Sequence, residues 1–381
     1  MRTVFFVALL LPHCTNLPPS PAADPARFEF ESKQMGTTFR IVVYADPATA
    51  TKAAAAAFAR VAQLEAVLSD YRPDSEIMRA CRANDATPGR TIRVSDDLLA
   101  VLTCCAKMSQ VSGGAFDVTV GPLSKLWRVS RKTQELPDAQ ELTAALALVG
   151  HDKVALDAAA KTMTLAVPGM RLDFGGVGKG FAADEVLKLL KRDFAIASAL
   201  VAAAGDITCG DAPPGTTGWS VEIAPLRKGG PKRTLTLANA SVSTSGDLEQ
   251  VAVIRGIRYS HVLNPKTGLG LTGRRSVTVI ARDGTTADSA TKGASVLPAD
   301  RALAFVAKLS GAEALIVTQA DDAKPEQVTS SPGLARYLRI APRKLEPLGV
   351  SQWISSSRWC RTRRASRRSK PRRPCITSWS S

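Results

Sequence analysis

From residue 197 to residue 281, strand-like segments follow one another with no helical pattern between them, which narrows the folds open to this chain. Segments 197–203, 219–223, 233–237, 257–262 and 276–281 are short, rich in apolar and β-branched residues, and set apart by Gly, Pro and Asn. Parallel neighbours need a crossover of a dozen or more residues, usually a helix, so this order predicts antiparallel pairing. Residues 28–44 alternate apolar and polar types around Met-Gly-Thr-Thr, and 151–167 alternate around a central turn, which adds two hairpins. Helical periodicity appears elsewhere. Phe58, Val61, Leu64 and Leu68 recur at helical spacing within 48–69, and 96–111 predicts a helix with Asp96 as N-cap, stopped by Gly113 and Gly114. Further helices are predicted over 180–191, 286–297 and 300–309. The fold class is therefore α+β: a single large domain of mostly antiparallel sheet with packed helices.

The 381 residues are 45% apolar and 22% charged, enough for a sizeable core. The longest apolar run, Val4 to Leu11, is too short to span a bilayer. Net charge is +16, but nine Lys or Arg fall between 358 and 373, and without them 41 basic residues face 34 acidic ones. The basic character belongs mostly to the tail, so no nucleic-acid partner is expected. Three histidines and seven cysteines without a CxxC pair argue against zinc or iron–sulfur sites.

Arg2, the apolar stretch and the prolines after it have the layout of a secretory signal over 1–20, with 21–27 as a tether. Cys14 stands where a lipoprotein signal places its lipidated residue, although Pro12 and His13 replace the usual small residues; ordinary signal-peptidase cleavage is the rival expectation. The folded domain is expected over 28–341, and 342–381 as a basic, disordered tail.

The segment Leu-Asp-Phe-Gly-Gly-Val-Gly-Lys-Gly-Phe-Ala-Ala-Asp, 172–184, carries the strongest chemical signal. Its glycines let backbone amides and a helix N-terminus approach an anion, and Lys179 adds a point charge suited to a phosphate oxygen. A purely structural turn is the alternative. At 287–292, Ala-Asp-Ser-Ala-Thr-Lys, Asp288 and Thr291 lie three apart on one helix face and could share a hard cation such as Mg²⁺, unless Asp288 is only a helix cap. Gly-Gly-Ala-Phe-Asp at 113–117 and Tyr-Ser-His-Val-Leu-Asn-Pro-Lys-Thr-Gly at 259–268 are further polar clusters, the second placing His261 and Leu263 at a strand end before a turn.

With MGTTFRI from Met35, SDYRPDSEI from Ser69, AAGDI from Ala203, VSTSGD from Val242 and SVTVIARDGTTADSATKGASVL from Ser276, these blocks run in the order seen in the ApbE family. The chain resembles that family over about residues 28–341. The resemblance implies an ApbE-like, T-fold-related domain and an FAD:protein FMN transferase. Such an enzyme uses Mg²⁺ to move FMN from FAD to a Ser or Thr hydroxyl of a target protein through a phosphodiester bond, releasing AMP. It implies FAD contacts at Met35, Tyr71, Ala115, Phe116, Asp117, Asp173, Lys179, His261 and Leu263, metal ligands at Gly176, Asp288 and Thr291, and catalytic roles for Asp288, Thr291 and Lys179. The partner would be an exported or membrane redox subunit, the location the periplasmic side of the bacterial inner membrane. Two departures stand out. Asn264 occupies a position where the family usually has Asp, and Lys292 stands where many members carry the threonine. Competing functions are an FAD pyrophosphatase yielding FMN and AMP, and a non-catalytic FAD-binding lipoprotein.

Overall fold

A computed structural model describes residues 25–227, 229–246, 251–320 and 324–339, all within one unit that ends at Arg339. The signal, Cys14, most of the tether and the basic tail lie outside the described residues. The helices are α1 (Pro47–Leu68), α2 (Glu76–Ala86), α3 (Asp96–Ser112), α4 (Gly121–Thr133), α5 (Ala139–Ala147), α6 (Gly178–Phe194), α7 (Gly284–Val296) and α8 (Ala299–Val306). The strands are β1 (Ala26–Gln34), β2 (Thr37–Ala45), β3 (Thr91–Arg93), β4 (Val154–Asp157), β5 (Thr162–Leu165), β6 (Ala199–Ala203), β7 (Asp206–Cys209), β8 (Trp219–Ile223), β9 (Arg233–Leu237), β10 (Ala240–Gly246), β11 (Val251–Ile254), β12 (Ile257–Leu263), β13 (Gly270–Thr272), β14 (Arg274–Ala281), β15 (Glu313–Gln319) and β16 (Gln327–Ser330). Strand β1 starts at Ala26, two residues before the expected start at Phe28, because Ala26 and Arg27 pair with Ala45 and Tyr44 across the first hairpin.

Eight strands form the main sheet in the order β1-β2-β6-β7-β10-β14-β15-β16, every neighbouring pair antiparallel. The period-2 alternation of a strand sends successive side chains to opposite faces. Here both faces are covered. Phe39, Ile41, Val43, Val277, Val279 and Ile316 point into a core shared with α1, α3, α6 and α7, while Val42, Ile280, Leu315 and Val317 enter a second core under β8 and β9. A third cluster joins Trp127 of α4 to Ala252, Ile254 and Tyr259 of the small β11-β12-β13 sheet. The Trp127 indole N–H donates to Ser260 O at 3.2 Å, and its ring meets Tyr259 edge-on.

Caps explain where several helices begin. Ser95, not Asp96, caps α3, its hydroxyl accepting from Leu98 N. Asp283 caps α7 by accepting from Thr286 N at 2.7 Å, which leaves Asp288 one turn inside the helix with no capping duty. A second carboxylate reinforces that end: Asp184 of α6 accepts from Gly284 N (2.6 Å), Thr285 N (2.8 Å) and the Thr285 hydroxyl (2.6 Å), which ties α6 to α7.

Candidate active site

At the β6–β7 turn, Ala204–Gly205, between two interior strands of the main sheet, lies a cavity of about 700 Å³. Its walls come from the 113–117 loop, the glycine turn before α6, α4, the end of β12 and the apolar residues Val221, Ile223 and Leu226. Of the residues expected from sequence, Tyr71, Ala115, Phe116, Asp117, Asp173, Gly176, Lys179, His261 and Leu263 line it together. Asp288 and Thr291 lie directly behind the wall, both fully buried.

Met35 is placed elsewhere. It forms the two-residue β1–β2 turn with Gly36, both at positive φ (48° and 71°), as a type I′ hairpin demands. Its side chain packs against the main core and takes no part in the cavity wall.

The glycine turn is held from within. Asp173 N donates to Val118 O (2.7 Å), Gly175 N to Asp173 Oδ1 (2.7 Å) and Gly178 N to Phe174 O (2.7 Å). Leu172, Phe174 and Val177 are buried, so the chain between them presents its backbone to the cavity. Lys179 then enters on the first turn of α6. Its ammonium reaches Asp206 Oδ2 at 3.1 Å, Gly175 O at 3.3 Å and Asp288 Oδ2 at 3.9 Å. Burial opposes its charge, but Asp288 and Asp206 outweigh burial and raise its pKa, so it stays an ammonium.

Asp288 faces two cations. Burial alone would raise its pKa, yet Lys179 and Lys292 reverse the sign and hold it below the ordinary carboxylate value. Oδ1 lies 2.8 Å from Lys292 Nζ, and Oδ2 accepts from Gly180 N at 3.2 Å. The Thr291 hydroxyl donates to Asp288 O (2.7 Å) and lies 2.8 Å from Ser245 Oγ and 3.0 Å from Lys292 Nζ.

These residues do not fit the expected magnesium ion. Lys292 already holds Asp288 Oδ1 and Thr291 Oγ1, and its stem lies against Gly176, where a Cβ would meet Lys292 Cγ at 2.9 Å. A divalent ion about 4 Å from that ammonium would be repelled by about 8 kcal/mol at an effective dielectric of 20. Among the described residues no group of three or more His, Cys, Asp or Glu gathers as a metal site.

Other expected contacts carry structural duties as well. Asp117 Oδ1 accepts from Thr119 N (2.8 Å) and the Thr119 hydroxyl (2.6 Å), and Oδ2 from His151 N (2.9 Å). Tyr71 is 74% exposed, with one ring face covered by the Arg128 guanidinium at 4.0 Å, so a single face is left for a flat ligand. Arg128 also pairs with Asp70 and lies 3.6 Å from Asp173. Burial, with Asp173 adding to it, raises the Asp70 carboxyl against the pull of Arg128. The turn after β12 closes with Asn264 in place of aspartate: Asn264 O accepts from Gly268 N (2.8 Å) and Oδ1 from Lys266 N (2.9 Å).

Sequence reasoning passed over Asp206, Asp70, Ser245 and Arg128 as site residues. The first three sit inside blocks that carried the resemblance, and that was their signal. Arg128 had none, being one basic residue among several in an amphipathic helix.

The ApbE family model matches residues 35–316. An FAD:protein FMN transferase of Treponema pallidum is 33% identical over 80% of this chain and 87% of its own length, and one from Klebsiella pneumoniae is 30% identical over 85% and 95%. Among solved structures, the apo form of the Pseudomonas stutzeri flavinyl transferase ApbE is 27% identical, covers 82% of this chain and 96% of its own, and superposes with a TM-score of 0.71. The ApbE protein of Thermotoga maritima is 25% identical over 83% and 100%, with a TM-score of 0.73.

Proposed function

This chain belongs to the ApbE family, and on that premise we propose that it is an FAD:protein FMN transferase whose acceptor is a Ser or Thr hydroxyl. The acceptor oxygen forms a bond to the FMN phosphorus, the diphosphate bridge breaks, and AMP leaves with the bridging oxygen while the hydroxyl proton is released. The product is a phosphodiester. The observation that carries this reading is the pair of ammonium groups, Lys179 and Lys292, on the wall of a cavity that also presents aromatic and apolar residues such as Tyr71, Phe116, Val221, Ile223 and Leu226.

A diphosphate between two flat heterocycles needs such a division of labour. Lys179 is braced by Asp206 and Asp288, so its charge is in place before the anion arrives. Backbone of the glycine turn can approach the phosphate closely, and the open face of Tyr71 suits a ring. Phosphoryl transfer asks mainly for positioning and for neutral charge around the bridge, which this wall supplies without a nucleophilic side chain. The acceptor we propose is an exported or membrane redox subunit, met on the periplasmic side of the inner membrane.

The test is incubation with FAD and an acceptor-threonine protein, followed by denaturing electrophoresis. Flavin fluorescence that stays with the denatured acceptor is the expected result. Free FMN and AMP with an unlabelled acceptor would replace transfer with hydrolysis, and unchanged FAD would leave a carrier.

A further inference from the structure

Lys292 follows Asp288 by four residues, one turn along α7, and its ammonium sits among the oxygens expected to hold a divalent ion. Two of its three N–H groups are directed at Asp288 Oδ1 (2.8 Å) and Thr291 Oγ1 (3.0 Å), and the same residue lines the cavity. The third contact, to Asp288 O, is long at 3.5 Å, so this N–H is the one most easily given up to an anion in the cavity. The charges also balance locally: Lys179 and Lys292 face Asp206 and Asp288 within one contiguous set of contacts. Lys292 cannot diffuse away, and its stem is fixed against Gly176.

We propose that Lys292 is the resident cation of this site, standing where a divalent metal was expected at Gly176, Asp288 and Thr291, and that FAD is bound and cleaved here without such a metal. The inference rests on the transferase reading for its ligand, FAD, but it is separable from the transfer step. When FAD binds, Lys292 exchanges its long contact to Asp288 O for a diphosphate oxygen, and the ammonium of Lys179 contacts the same bridge. On cleavage, Lys292 stabilises the charge that collects on the departing AMP phosphate.

The experiment uses the full chain stripped with EDTA. FAD affinity is measured by flavin fluorescence in EDTA and in millimolar MgCl₂, and MgCl₂ is titrated calorimetrically into the FAD-free protein. The expected results are affinities within about threefold of each other and no heat of magnesium binding. Lys292→Ala should weaken metal-free FAD binding by about tenfold or more, the worth of a charge-assisted hydrogen bond. A magnesium-dependent gain of about tenfold or more in the unaltered protein would overturn the proposal, as would unchanged metal-free affinity in Lys292→Ala. The unaltered-protein arms decide the matter even if that variant fails to fold. Labelling of an acceptor only with magnesium sinks the lysine proposal and leaves the transferase reading standing. Metal-independent FAD binding with free FMN and AMP but no labelled acceptor does the reverse, and FAD that stays unbound, or bound but intact, in every buffer overturns both.

Discussion

Gly180→Ala should open the contact between α6 and α7 on which the site depends. A Cβ at Gly180 would lie 2.1 Å from Gly284 O, 2.5 Å from Gly284 C and 2.9 Å from Asp288 Cβ. None of these atoms can rotate aside, so α7 must retreat by about 1 Å to recover ordinary contact distances. Overpacking of this kind costs about 1–3 kcal/mol. Loosening the Gly180 N–H bond to the Asp288 carboxylate, 3.2 Å in the native arrangement, adds about 1.5–3 kcal/mol. The better helix propensity of alanine returns about 1 kcal/mol. The expected loss is therefore about 1.5–5 kcal/mol, read from urea unfolding, together with weakened FAD binding because Lys179 and Lys292 move apart. Gly178→Ala, on the same helix turn, is the control: its Cβ meets nothing closer than Phe174 Cβ at 3.8 Å. That variant should be as stable as the parent or up to about 1 kcal/mol more stable. If Gly180→Ala is as stable as Gly178→Ala and binds FAD as tightly, the close α6–α7 approach does not set the site.

Lys179→Met keeps the length of the side chain but strips Asp206 of its cation; stranding a buried carboxylate should cost about 3–5 kcal/mol in urea unfolding and weaken FAD binding in parallel. The Asp184 carboxyl offers a pH signature. Burial lifts it to about 6, against the hydrogen bonds it receives from Thr285 and Gly284. The folded state thus keeps a proton that the unfolded chain, near 3.8, has already lost, so stability should fall as pH rises from about 4 to about 6, by at most about 3 kcal/mol, and then level off. Unfolding titrations across that range should show the slope, and Asp184→Asn should flatten it; a slope of opposite sign would contradict the assignment.

Where the alternation of side chains was plain, the fold could be read in advance. Segments 219–223 and 233–237 coincide with β8 and β9, and the hairpin at 28–44 with β1 and β2. Strand β10 escaped because it lies in mid-sheet against α7 and reads Ala-Ser-Val-Ser-Thr-Ser-Gly: its buried positions are small hydroxyls such as Ser241, Ser243 and Ser245, chosen for fit rather than hydrophobicity. Strand β7 has four residues, too few to show a period. Helix α4 was missed because its buried residues, Leu123, Ser124, Trp127 and Ser130, mix polar with apolar types. The same limits apply at the site. Types and order placed Lys179, Asp173 and Asp288 near one another, but nothing in a linear chain tells whether Lys292 turns toward Asp288 or away from it. That orientation follows from helical pitch and from the room left beside Gly176.

The bracket that Asp184 throws across the start of α7 has a thermodynamic corollary. With one helix latched to the other at three donors, the spacing between the two cationic residues is settled during folding, and a nucleotide entering the cleft meets a frame already rigid. Little of its binding energy is then diverted into arresting backbone motion, which leaves more for discrimination between the bridge as it stands and the bridge as it breaks.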